Sequence, residues 1–167
     1  MTTFRIQPDR SKVWIEARSS LHPIRGEATG LEGSIDAEVT DGHVELGDTP
    51  KIQVELPVAR LKSGKALEDA EMQRRIDAKR YPTIKGEVRE VKDAGGGRYR
   101  MRGDLTFHGV TRPVEGEVSA TVDGNSVVFE GEQTFDIRDF GVEPPKILML
   151  KVHPDVKVRV RVVAEPE

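Results

Sequence analysis

Cysteine is absent from the 167 residues, which rules out disulfide staples, thiolate metal sites and a cysteine nucleophile. Neither sign of charge dominates: 26 Lys and Arg stand against 29 Asp and Glu, a net charge of −3. A nucleic-acid partner needs a basic stripe that this balance does not supply, so none is expected. Long apolar runs are missing as well. No stretch reaches the length of a transmembrane segment. The first twenty residues, MTTFRIQPDRSKVWIEARSS, lack the apolar centre of a secretory signal. The expectation is a cytoplasmic protein, with an envelope location reserved for a chain whose signal was trimmed. Hydrophobic residues amount to 36% against 33% charged, so apolar side chains must be well placed rather than abundant. The length suits a single domain over 1–167, large enough for a sizeable core or one ligand cavity.

What is present is alternation, the period-2 pattern of half-buried strands. Val13, Ile15 and Ala17 share a face, as do Ile52, Val54, Leu56 and Val58, and then Ile84, Gly86 and Val88. The clearest stripe is Tyr99, Met101, Gly103, Leu105 and Phe107. It is followed by Val114 to Val122, by Val127 to Ile137, and by Val156 to Val162, each at every second residue. With a strand around Ile35 to Val39, about eight strands emerge. Turn signals fall between them: TDGH at 40–43, DAGGG at 93–97 and DGN at 123–125. Long strands, tight turns and one polar face throughout predict an all-β fold, an eight-stranded antiparallel barrel. One helix is inserted around residues 65–80, where KALEDAEMQRRIDAKRYP breaks the alternation and ends at Pro82. Ser63 is its expected cap. Leu67, Ala70 and Ile76, with Met72 or Gln73 between, form its weak apolar stripe.

Signals of chemistry are sparse. His22, His43, His108 and His153 show neither the i, i+4 nor the i, i+2 spacing of a metal pair. There is no G-x-S-x-G elbow, and GGGR at 95–98 lacks the Lys-Ser/Thr ending and the helix of a phosphate loop. The stretch GDLTFHGVTRPV at 103–114 gathers an Asp, a His and two Thr. Alternation disperses them: Leu105 and Phe107 point inward, Asp104 and Thr106 outward, and His108-Gly109 forms the tight connection. An eight-stranded barrel encloses either packed side chains or one small ligand. Small inward residues such as Gly86, Gly103, Gly116, Ala120 and Gly131 favour enclosed space.

GDLTFHGVTRPV closely resembles a signature of the YceI-like, polyisoprenoid-binding family. PDRSKVWIEA at 8–17 is similar to that family's first strand, with Asp9 and Ser11 in place, and Gly26 and Gly33 match its spaced glycines. LKSGKALED, AKRYPTIKGEV, FDIRDFGV at 135–142 and HPDVKVRVRV resemble later segments in the same order. The resemblance covers about 8 to 163. It departs at Ser19, where many members have a histidine, and at Ala28, where a Phe is usual. Membership implies a lipocalin-like barrel holding a long-chain isoprenoid, isoprenoid quinone or fatty-acid-like ligand, with no catalysis, no cofactor, and a homodimer as a compatible assembly.

The expected ligand-lining residues are Val13, Ile15, Ile84, Val88, Met101, Leu105, Phe107, Phe129 and Phe135, with Phe140 and Leu148 near an end. His22, His108 and Arg138 are the candidate head-group contacts. Trp14, of opposite parity to Val13 and Ile15, is a candidate to pack under the helix. Two other readings stand beside this one. One is a metal-binding or small hydrolytic protein using His22, His108 or His153. The other is a stress-associated barrel with a closed pocket.

Overall fold

Each of the apolar stripes becomes the inner face of a strand in a computed structural model. It describes residues 1–144 and 151–167 and, within 145–150, only the backbone at 146, 147 and 150. In chain order the strands are β1 (Thr2–Ile6), β2 (Lys12–Ser19), β3 (Ile24–Ala28), β4 (Glu32–Thr40), β5 (His43–Glu45) and β6 (Ile52–Pro57). The helix α1 (Ala66–Arg75) follows. Then come β7 (Thr83–Gly95), β8 (Arg98–Phe107), β9 (Val110–Asp123), β10 (Ser126–Asp136), β11 (Lys146–Ile147) and β12 (Leu150–Pro166). Short 3₁₀ turns occupy Val58–Arg60 and Ile137–Phe140.

Antiparallel pairing runs β1-β4-β6-β7-β8-β9-β10-β12, and β12 pairs back onto β1, closing an eight-stranded barrel. β2 and β3 continue the wall below β1 and β4, with β2 paired to β12 from Lys12↔Arg161 onward. The joint between β1 and β2 is held by Ser11, which is fully buried. Its hydroxyl accepts from Val163 N–H at 3.0 Å and donates to Val163 C=O at 3.3 Å. A serine side chain thus stands in for a missing ladder residue. At the β8–β9 turn, His108 and Gly109 take φ of 55° and 71°. Two successive left-handed residues give the hairpin turn whose twist matches its strands.

The phase of β7 changes part-way along. A register shift between Val88 and Glu90 inserts one extra residue, so the inward stripe passes from Val88 to Val91, which is buried. Beyond it, Phe4, Ile35, Val91, Tyr99, Val127 and Phe129 pack the barrel shut at that end.

The helix is shorter than expected and is rotated. It stops at Arg75 because Asp77 adopts a left-handed φ of 51°, five residues before Pro82. Lys65, not Ser63, is at the cap position. Ser63 instead donates its N–H and hydroxyl to Asp69 Oδ1, at 2.7 and 2.9 Å, while its hydroxyl accepts from Lys65 N–H at 3.2 Å. Leu67 is 68% exposed and Glu68 only 8%, the reverse of the stripe expected from Leu67 and Ala70. Met72 and Ile76 anchor the helix on the barrel, and Leu67 lies about 140° round the axis from Met72. Glu68, four residues from Met72, inherits the inner position.

Trp14 is not under the helix. It sits on the outer surface of β2, with the Arg159 guanidinium 4.4 Å and the Lys12 ammonium 5.6 Å from its ring centre. This arrangement sets two cations against the aromatic ring.

Candidate functional site

Between the packed end and α1 the barrel encloses a cavity of about 470 Å³, within the range of small-molecule sites. Its wall is apolar because alternation delivers one apolar side chain per strand at each level. Of the expected lining residues, β2 supplies Val13 and Ile15, and β7 supplies Ile84 and Val88. β8 supplies Met101, Leu105 and Phe107, while Phe135 and Phe140 come from β10 and the turn after it. Phe129 has the same parity as Phe135 but lies nearer the packed end. It is buried between its cross-strand partners Ala120 and Val162 and does not border the cavity. Leu148 lies outside the described residues.

The three candidate head-group contacts do not border the cavity. His22 is exposed in the loop between β2 and β3, its Nδ1 3.1 Å from Pro23 O. His108 occupies the β8–β9 turn, where its ring meets Tyr81 edge-on at 5.0 Å. Its Nδ1 lies 3.1 Å from the Phe140 carbonyl; a carbonyl can only accept, so Nδ1 carries the proton and donates. Arg138 doubles back on Asp136 at 2.7 Å. That ion pair holds the Asp136 carboxyl below its usual range and raises the guanidinium. His108 and Arg138 therefore secure the turn carrying Phe140. His153 is exposed on β12. Among the described residues, no three His, Asp or Glu side chains are placed to hold a metal ion.

Several wall residues were legible only as members of stripes, among them Val54, Val114, Val118 and Val158. Leu61, Met72, Ile76 and Val142 also face the cavity. They belong to turns and the helix, where no period-2 signal exists to reveal them. Gln133 is a polar exception on an inner face. It sits between Gly131 and Phe135, at a position where the stripe predicts an apolar side chain. An apolar chamber with its polar groups, Ser63, Glu68, Asp69 and Arg75 at the helix end among them, at the margin solvates an apolar chain.

A family model described as a YceI-like domain matches residues 4–164. A UPF0312 protein of Pseudomonas putida is 32% identical over 119 residues, covering 66% of this chain and 62% of that protein. The chain thus matches under two thirds of that relative's length. Among solved structures, Burkholderia cenocepacia BcnA superposes with a TM-score of 0.83 at 20% identity, covering 95% of this chain and 98% of that one. A polyisoprenoid binding domain from Saccharophagus degradans, implicated in plant cell wall breakdown, gives 0.77 at 12% identity with both chains fully covered. The Campylobacter jejuni YCEI protein gives 0.71 at 16% identity over 86% of this chain and 85% of that one. At these identities the structural likeness carries the fold.

Proposed function

Because the chain belongs to the YceI-like family, we propose that it binds and sequesters, or carries, a long-chain apolar or amphiphilic ligand in the barrel interior. The isoprenoid, isoprenoid quinone and fatty-acid-like classes all fit. The observation that supports this is the apolar cavity of about 470 Å³. Each methylene moved from water into such a site contributes roughly 0.8 kcal/mol. A tail of about a dozen carbons therefore contributes roughly 10 kcal/mol, of the size needed to offset the costs of association and ordering without a specific hydrogen bond. One methylene more or less changes affinity little, so chain-length selectivity is shallow. The protein acts as a binder, not a catalyst, on this reading.

Gentle purification followed by native mass spectrometry and organic extraction tests it. A co-purifying lipid, or stoichiometric uptake from a panel of prenyl and acyl compounds, is the expected result. An empty protein that takes up no member of the panel overturns the proposal.

A further inference from the structure

The barrel wall comes apart on one side. β9 and β10 pair from their shared hairpin only as far as Val118↔Gly131. Yet β9 continues to pair with β8 down to Val110, and β10 with β12 down to Asp136. Between the halves 110–117 and 132–136 no ladder runs.

The sequence explains why. Backbone groups of a strand point alternately to its two neighbours. Ala120 N–H donates to Gly97 C=O on the β8 side, so the odd-numbered amides of β9 face β10. Pro113 occupies one of these odd positions and has no N–H to give. Extending the register one step would set Glu132 directly against Glu117, an unfavourable like-charge pair. Two steps would set Gln133 against Gly116. The strands part there, with Glu132 N–H on Glu117 C=O closing the ladder beside Val118↔Gly131, and the amides of Glu115, Glu117 and Thr134 are left facing the opening without a ladder partner.

The opening joins inside to outside. Glu115, Gly116, Glu117, Gly131, Glu132 and Gln133 border both the inner cavity and a shallow concavity on the outer surface. Gln133 reaches across it: its Oε1 lies 3.6 Å from where a Cβ on Gly116 would be. Its amide both donates and accepts. The rim carboxylates are already matched: Glu117 with Arg98 at 2.5 Å, Glu115 with Arg100, Glu130 with Arg161 at 3.1 Å and Glu132 with Lys157 at 3.3 Å. A charged group entering here would have to displace one member of a pair or draw Arg159, which also borders the concavity, off the Trp14 ring.

The geometry points to a lateral portal between β9 and β10 that holds the polar end of the bound amphiphile. That end is an uncharged hydroxyl or carbonyl, hydrogen-bonded by Gln133 and the free strand amides, while the apolar chain lies inside. This rests on the apolar-ligand reading above, and the two fail differently.

Since the chain contains no cysteine, E117C with E132C places one disulfide across the portal. With N-phenyl-1-naphthylamine as the fluorescent probe, oxidation of this variant slows uptake and release by at least about tenfold, and a reductant restores both. A control disulfide, E55C with K85C, joins β6 and β7 where Glu55 already opposes Lys85, and leaves both rates unchanged. Dodecanol displaces the probe at lower concentration than dodecyl phosphate, and Q133L weakens dodecanol. Hydrogen exchange serves even where the two thiols do not oxidise. The amides of Glu115, Glu117 and Thr134 exchange faster than those of Ser119 and Glu130, and slow when dodecanol binds. Slow exchange at those three amides, or unchanged probe rates in the cross-linked protein, overturns the portal. Dodecyl phosphate displacing the probe as well as dodecanol does overturns the uncharged end. A probe that never enters the unmodified protein overturns the apolar-ligand reading instead.

Discussion

The phenol of Tyr99 donates a 2.6 Å hydrogen bond to the carbonyl of Val44, tying the inner face of β8 to the short strand β5 across the packed end of the barrel. Both residues are buried. Tyr99→Phe removes the donor and strands the carbonyl away from water, which costs about 1–3 kcal/mol. Urea unfolding should show a lower midpoint at unchanged slope. Ligand uptake should be unaffected, because Tyr99 does not border the cavity.

The same phenol sets an alkaline limit. Burial, reinforced by the nearby Asp93 carboxylate, raises its pKa above the ordinary value. A group whose folded pKa is raised contributes stability that is complete below its unfolded value, about 10 for tyrosine, and is lost as pH rises through the folded one. The carboxyls of Asp136, Glu115 and Glu71 behave oppositely. They are held low by side-chain bonds from Arg138, from Arg100, and from Arg75 with Arg74 respectively. Their contribution is present above the usual carboxylate range and fades as pH falls through their depressed values. Melting temperature against pH should therefore decline at both extremes, and Tyr99→Phe should flatten the alkaline limb alone.

Gly109→Ala should be among the most damaging single-methyl changes. The residue holds a φ of 71°, and a Cβ there would lie 2.5 Å from the Tyr81 ring. Left-handed strain and overpacking together cost about 2–4 kcal/mol, measurable by thermal or urea unfolding. The damage should spread to His108 and the Phe140 turn it holds, visible as faster hydrogen exchange there.

The inner face of the barrel was legible because a strand's side chains alternate regardless of what surrounds it. Val13, Met101, Leu105 and Val158 could be assigned inward from spacing alone. Where the period breaks, the sequence is silent. Nothing in VREV at 88–91 announces the extra residue that carries Val91 into the core. The phase of α1 is set by what Met72 and Ile76 dock against, so Leu67 and Glu68 exchanged their expected places. His108 and Arg138 looked like free polar groups. Their partners, Phe140 O and Asp136, are identified only by the backbone path through residues 136–141. Phe129 was right in direction and wrong in depth, since parity says nothing about distance along the barrel axis.

Trp14 is the single tryptophan and faces outward against Arg159. Its emission should be quenched by acrylamide in the folded protein and should stay unchanged when an apolar ligand fills the interior. Arg159→Ala should move the emission maximum while leaving ligand affinity as it was. A large emission change on loading the barrel would contradict this placement.

Val158→Phe directs a larger ring into the cavity from β12. Empty space there avoids the usual cost of overpacking. Thermal stability should hold or rise slightly, while capacity for a long-chain ligand should fall, as read by displacement of a fluorescent probe.

Barrel closure has a further effect, on the time the chain takes to fold. The seam is made where β12 meets β1 and β2, bringing Phe4 beside Pro166 and Lys12 beside Arg161. These partners are separated by nearly the whole sequence. Local hairpins such as β8–β9 form on the microsecond scale. The seam must wait for a loop-closure search over some 150 residues, and such non-local pairing places folding in the millisecond-to-second range. Until it forms, β1, β2 and β12 all present open edges, the state in which strands pair with the wrong molecule. The chamber that shelters an apolar chain exists only after that last pairing.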